Sequence, residues 1–170
     1  MRVRFATLGC VFLVASATPL LTGCGDVAAH GDSPKKETAM AAKAEFLNTP
    51  EALAKNRPFS EAVRAGDFLI LAGQLGDDPA TGKVVPGGIR AEARQTLNHV
   101  KAVLERNGAS LNDVVKCTVF LADISEWGAF NEVYREFFKA PYPARSALGA
   151  NGLALGARVE LECMAYQPRQ

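Results

Sequence analysis

The sequence predicts an α+β fold of order ββαβαββ, with two helices lying on one face of a single sheet. Three observations lead there. Residues 113–121 and 158–166 alternate between apolar and other side chains at period two, as half-buried strands do. Ala93, Leu97, Val100 and Leu104 recur at i, i+4, i+7 and i+11, one face of a helix. Turn-forming clusters of Gly, Asp and Pro separate these runs.

The elements follow in order. Residues 60–64 and 68–75 are two short apolar runs joined by Ala65-Gly66-Asp67, which predicts a hairpin, and 77–82 form a loop. A helix spans 89–107 and stops at Gly108; His99 falls off its apolar stripe and reads as a surface or rim residue. The strand at 113–121 puts Val115, Cys117, Val119 and Leu121 on one face and Val114, Lys116, Thr118 and Phe120 on the other. Asp123 and Glu126 have capping-box spacing before a second helix, whose Trp127, Phe130, Val133, Tyr134, Phe137 and Phe138 form a broad aromatic stripe that reads as core. Pro141 and Pro143 end that helix, and strands at 144–150 and 158–166 complete the order. Glu160 and Glu162 share a face of the last strand. With the helices on the other side, these carboxylates, Lys116 and Thr118 need another cover, best supplied by a second subunit that leaves a polar pocket between.

With 48% hydrophobic and 22% charged residues in 170, the composition is ordinary for one globular domain with a tail. The formal charge is +1, and losing Arg2 and Arg4 with a leader would leave the 18 acidic residues one ahead of the basic ones. Bulk charge therefore selects no nucleic acid. Arg2 and Arg4 form a positive start, and 5–21 is an apolar run broken by Gly9, Ser16, Thr18 and Pro19, too short to span a bilayer comfortably. Leu21-Thr22-Gly23-Cys24 then resembles the lipobox of bacterial lipoproteins, in which the cysteine is acylated and becomes the first residue after cleavage. The alternative is a plain secretory signal or an uncleaved anchor. The expected organisation is a signal peptide at 1–23, a lipidated Cys24 with a flexible tether at 24–45, and a folded domain at 46–170. The chain would then sit in the cell envelope, on the periplasmic side or in an outer membrane, held through its lipid only. His30 lies in the tether and reads as solvated. Two histidines with no close Cys/His cluster supply no zinc ligand set, so no metal is expected. Cys117 and Cys163 are the cysteines of the folded part; both read as buried free thiols, with a disulfide possible if their strands are neighbours.

The segments RPFSEAVRAGDFLILAGQLGDDPATGKV, QTLNHVKAVLERNGASLNDVVKCTVFLADI, FNEVYREFF, YPARSALG and RVELECMAY together resemble the Rid (YjgF) family, also described as endoribonuclease L-PSP, over roughly residues 56–167. The resemblance implies a chorismate-mutase-like fold, a homotrimer whose sheets form a central barrel, and clefts between subunits. It further implies hydrolysis of reactive 2-imino acids to 2-keto acids and ammonia, without metal or other cofactor. Arg145 matches the family arginine that takes the substrate carboxylate through a bidentate fork. Glu160 matches the acidic residue that positions or activates water, Asn131 a cleft asparagine, and Gly73 a glycine where backbone and ligand approach closely.

The chain departs from the family pattern at three positions. Phe59 stands for a tyrosine, Ala72 for a serine and Ala147 for a cysteine, so three polar contacts are replaced by carbon, each costing ~1 kcal/mol or more in a desolvated cleft. These substitutions suit a bulkier or more apolar substrate. Two functions follow. One is an envelope-anchored imine or enamine deaminase; the other is a trimeric binding module for small carboxylates that performs no chemistry. A ribonuclease would need a basic surface interleaved with aromatics, which a nearly neutral chain lacks.

Overall fold

A computed structural model describes residues 43–168. The predicted leader, Cys24, His30 and the tether as far as residue 42 lie outside the described residues. Chain order is β1 (Glu45–Leu47), α1 (Pro50–Ala54), β2 (Ala62–Ala65), β3 (Phe68–Leu71), β4 (Gln74–Leu75), α2 (Gly88–Arg106), β5 (Val114–Leu121), α3 (Trp127–Phe137), β6 (Ala144–Gly149) and β7 (Val159–Tyr166). The ββαβαββ skeleton is present. β1 and α1 precede it, where the sequence shows no sustained period. β1 is held by its ladder to β2, and α1 by Thr49, whose hydroxyl caps Ala52 N–H.

The strands form one sheet in the order β1-β2-β3-β7-β5-β6, with β4 also pairing with β7. Every pair is antiparallel except β5 with β6, which are joined through α3 as a parallel crossover. β7 lies inside the sheet, against β3 and β4 at one side and β5 at the other, so its side chains alternate strictly between two environments. Val159, Leu161, Cys163 and Ala165 are buried under the helices, together with Cys117, Val119 and Leu121 of β5 and Leu69 and Leu71 of β3. α2 closes this core with Ala93, Leu97, Val100 and Leu104, the predicted stripe, and the chain leaves it at Gly108 with φ of 77°, a left-handed conformation that favours glycine.

Several expectations change in detail. Cys117 and Cys163 are not free thiols: they are direct cross-strand partners and form a disulfide, with Cα atoms 4.1 Å apart. The pairing depends on register, which neither strand alone encodes. A register shift in the β5–β7 ladder between Val114 and Lys116 breaks the alternation, so Val114 faces the core and Val115 is exposed, the reverse of the expected assignment. Asp123 caps Ser125 N–H in a short 3₁₀ turn, while Glu126 pairs with Arg158 instead of closing a capping box. Trp127 is 47% exposed and does not belong to the core. His99 sits at the rim as expected and ties α2 to β4: with its Nδ1–H donated to the Leu75 carbonyl at 2.9 Å, its Nε2 accepts from Gln95.

The sheet's other face is uncovered in the single chain. Registers place Ile70, Met164 and Lys116 in one row and Phe120 with Glu160 and Leu148 in another. Phe68, Ile70, Leu148 and Tyr166 on this face are each about two-fifths exposed, and the Phe68 and Tyr166 rings meet at 5.2 Å.

The disulfide closes a loop of 46 residues in sequence, which constrains the unfolded chain by about 2–4 kcal/mol. Replacing both cysteines by alanine should lower the urea unfolding free energy by that amount; an unchanged midpoint would show that the bond contributes nothing to stability.

Candidate functional site

Arg145 enters the sheet on the edge strand β6, in register with Cys117, so its side chain takes the helix face and meets α3. One guanidinium nitrogen donates to Asn131 Oδ1 at 2.6 Å, and the group lies 4.4 Å from the Tyr134 ring centroid and 5.6 Å from that of Phe130. Asn131 and Tyr134 are buried neighbours on α3, three residues apart and therefore on one helix face. Together they fix one arm and the plane of the guanidinium and leave its remaining N–H groups for a ligand. Burial pulls the Arg145 pKa below its ordinary value; the Tyr134 ring opposes this and the Arg135 charge adds to it. Arginine starts so high that the group remains a cation. The same burial pushes the Tyr134 hydroxyl up to about 12, so it stays protonated. The cavity here is about 300 Å³ and is lined by Trp127, Asn131, Tyr134, Arg135, Tyr142 and Arg145. An adjoining hollow brings in Ala147 and Ile124 beside Trp127 and Arg145.

Glu160 belongs to a second cavity. On β7 it pairs with Leu75 of β4 and Phe120 of β5, and the alternation directs it to the uncovered face. A cavity of about 370 Å³ surrounds it, lined by Phe59, Ala72, Gly73 and Leu155, with Arg57 and Glu61 among the charged groups. Glycine at 73 leaves room for the carboxylate: a Cβ there would lie 1.9 Å from Glu160 Oε1 and would displace it. Leu155, 63% exposed, is held at φ of 60°, a costly conformation for a non-glycine residue. Burial raises the Glu160 pKa, and the Glu162 carboxylate on the same face adds to the shift.

Across the folded domain, the chain matches the family profile described as Endoribonuclease L-PSP over residues 49–167. The chain belongs to this family. It is 42% identical over 122 residues to the 2-iminobutanoate/2-iminopropanoate deaminase of Capra hircus, a match covering 72% of this chain and 89% of the relative. It is 43% identical over 123 residues to a RutC family protein of Pyrococcus horikoshii, covering 72% and 98% respectively. The solved structure of RidA from an Antarctic Psychrobacter is similar with a TM-score of 0.62 and 41% identity, over 65% of this chain and 89% of that one. The L-PSP fold seen in this chain, long helices on one face of a single sheet, is the chorismate-mutase-like α+β architecture.

Within one L-PSP chain the residues singled out in the sequence divide into two groups. Arg145, Asn131 and Ala147 gather at the β6 edge; Glu160, Gly73, Ala72 and Phe59 gather beyond β7. Arg145 and Glu160 are not brought together: they leave opposite faces of the sheet, and β5 separates their strands, about 10 Å across. Sequence reasoning missed Trp127 and Tyr134 as site residues by assigning both to the core. Their signal was present in the spacing, since Trp127, Asn131 and Tyr134 stand at i, i+4 and i+7. Arg135, Tyr142 and Leu155 carried no such pattern.

A raised carboxyl pKa means the folded chain holds the Glu160 proton more tightly than the unfolded one. Its stabilising effect is present at low pH and is lost as pH rises through the raised folded-state pKa. Glu160→Gln should thus be at least as stable as the parent at pH 7, with the difference closing under acid conditions where both side chains are neutral. Thermal melts across pH would show this, and a Gln variant weaker at pH 7 would contradict it.

Proposed function

We propose that this L-PSP family chain hydrolyses reactive 2-imino acids to 2-keto acids and ammonia, in clefts between the subunits of a homotrimer. The observation that carries the reading is the Arg145 clamp, an oriented guanidinium with uncommitted donors, in a chain 42% identical to a protein named 2-iminobutanoate/2-iminopropanoate deaminase. The substrate carboxylate takes the Arg145 fork. Glu160 accepts a proton from water as the oxygen attacks C2 of the C=N bond, the electron pair moves to nitrogen, and Glu160 hands that proton to it. A second transfer through Glu160, from the adduct's hydroxyl to its amine, lets the tetrahedral adduct collapse to the keto acid as ammonia leaves. The overall reaction consumes one water and no cofactor. The raised pKa makes Glu160 a better base than an ordinary carboxylate.

Assembly is part of the proposal, because Arg145 and Glu160 cannot meet within one chain. The uncovered face with its row of part-exposed Phe68, Ile70, Leu148 and Tyr166 supports burial against further copies. The positive start at Arg2 and Arg4, the apolar run at 5–21 and the Leu21-Thr22-Gly23-Cys24 tetrad support a cell-envelope location with a lipid on Cys24 as the anchor, and the Cys117–Cys163 disulfide suits an oxidising compartment.

A second reading, a carboxylate-binding trimer without turnover, is favoured by Phe59 and Ala72. They put carbon around Glu160, and no side chain among the described residues hydrogen-bonds its carboxylate. Coupled ammonia release decides between the two, with imines made in situ by an L-amino-acid oxidase. The full chain should accelerate release, at a rate that rises with pH as Glu160 ionises, and Arg145→Ala should lower it ~10- to 100-fold, the cost of a lost charged hydrogen bond. Equal rates with and without Arg145 would refute the deaminase. Binding of 2-oxobutanoate by calorimetry without any turnover would instead establish the binding module.

The anchor is tested separately. Cys24→Ala should move the chain from the membrane fraction to the soluble one or leave it uncleaved, and loss of labelled acyl chain should accompany the change. Unaltered lipid labelling would remove Cys24 as the attachment site.

A further inference from the structure

The cavity at Arg145 contains a second cation that the proposed reaction does not use. The acidic residues on and just before α3 are all engaged: Glu126 with Arg158, Glu132 with Arg90 and Glu136 with Arg94. Arg135, on the same helix, is exposed and has no ion-pair partner among the described residues, yet it lines the cavity with Arg145. Its charge is near enough to contribute to the depression of the Arg145 pKa, after burial itself. Two uncompensated guanidinium groups in one 300 Å³ cavity repel each other until an anion bridges them. An independent feature also calls for an acceptor. Tyr134 is 4% exposed and walls the cavity, and its hydroxyl is buried with no hydrogen-bond partner among the described residues.

We infer that Arg135 reads a second anionic group on the ligand, so that this chain selects short acids carrying a carboxylate or phosphate besides the one held by Arg145. This rests on the reading of Arg145 as the carboxylate fork. The cavity lies at the small end of ligand sites, which suits an acid of a few carbons rather than a large aromatic one. Either second anion, carboxylate or phosphate, can present two oxygens to the guanidinium fork, whereas a neutral apolar tail would leave Arg135 as it stands. The carbon lining from Phe59 and Ala72 belongs to the Glu160 cavity and places no demand on this end of the ligand.

The test is calorimetric binding to the full chain, with 2-oxobutanoate as the monoanion, 2-oxoglutarate as the dianion, and phosphoglycolate, whose phosphate adds up to one charge more, as the second acid with two anionic groups. The parent should prefer a dianion by about fivefold at low salt, the scale of an exposed pair, and the preference should shrink as ionic strength rises. The acid that loses more affinity in Arg135→Ala identifies the second group. Arg135→Ala should bring the ratio close to unity, lowering affinity for 2-oxobutanoate much less than for 2-oxoglutarate, and Arg135→Lys should restore part of the ratio. Lys139→Ala, which removes a cation outside the cavity, should leave the ratio intact; an equal drop would reduce the effect to bulk charge and overturn the inference. A ratio indifferent to Arg135, or no dianion preference in the parent, would also overturn it, with the deaminase reading untouched. Unchanged binding of the monoanion in Arg145→Ala would instead overturn the reading on which it rests.

Discussion

The antiparallel ladder between β5 and β7 is the constraint on which the remainder of the molecule depends. Both strands are eight residues long, and their pairing sets Cys117 against Cys163, Val119 against Leu161 and Phe120 against Glu160. A slip of one residue would invert every side chain, burying Glu160 and Glu162 under the helices and exposing Leu161 and Cys163. The disulfide adds a covalent check on that register. From it follow the attachment of β6, which carries Arg145, and of β4, which brings Gly73 over Glu160. The site thus inherits its geometry from a ladder whose inward residues perform no chemistry.

Arg145 illustrates how a charge is kept useful at the margin of an apolar core. Removing water from a guanidinium is unfavourable, and the lowered pKa records this cost. The cost is offset by a hydrogen bond to Asn131 and by the faces of Tyr134 and Phe130, which together contribute on the order of 1–3 kcal/mol. These contacts use one arm and one face of the group. They also restrict its rotamers before a ligand arrives, so less entropy remains to be lost on binding. Glu160 is handled in the opposite manner. It has few compensating contacts, sits near a like charge, and consequently holds its proton to higher pH.

Much of this was legible in the sequence. The period-two runs at 113–121 and 158–166 and the 3.6-period stripe from Ala93 to Leu104 placed the strands, the long helix and the covered face. Arg145 at the start of a strand and Glu160 on a mixed strand face stood out from simple packing in the sequence itself, whereas Asn131 and Gly73 were singled out only through the family resemblance. What could not be read was anything that depends on register or on three-dimensional neighbourhood. The disulfide required knowing that Cys117 faces Cys163. The β5 irregularity exchanged Val114 and Val115 without a Gly or Pro to announce it. Trp127 matched the apolar stripe by spacing, but it stands at the first turn of α3, where the helix has passed the edge of the core and only its later turns are covered. β1 and α1 were invisible because three- and five-residue elements carry too few periods to rise above their surroundings.

The proposed division of the site between two faces fits a single chain that leaves one face of its sheet uncovered. A cleft formed inside one such chain would have to pass through the β5–β7 ladder, interrupting the hydrogen bonds that define the fold. Placing the cation at the β6 edge and the carboxylate beyond β7 leaves that ladder intact. Within one chain it also prevents a salt bridge between Arg145 and Glu160, which would lower the carboxyl pKa and occupy the fork before a ligand arrives. The chain instead retains an uncommitted guanidinium arm on one side and a proton-binding carboxylate on the other. In the proposed trimer the apolar side chains of the uncovered face would carry a double burden, since the surface that stabilises association would be the same one whose burial brings the two halves together.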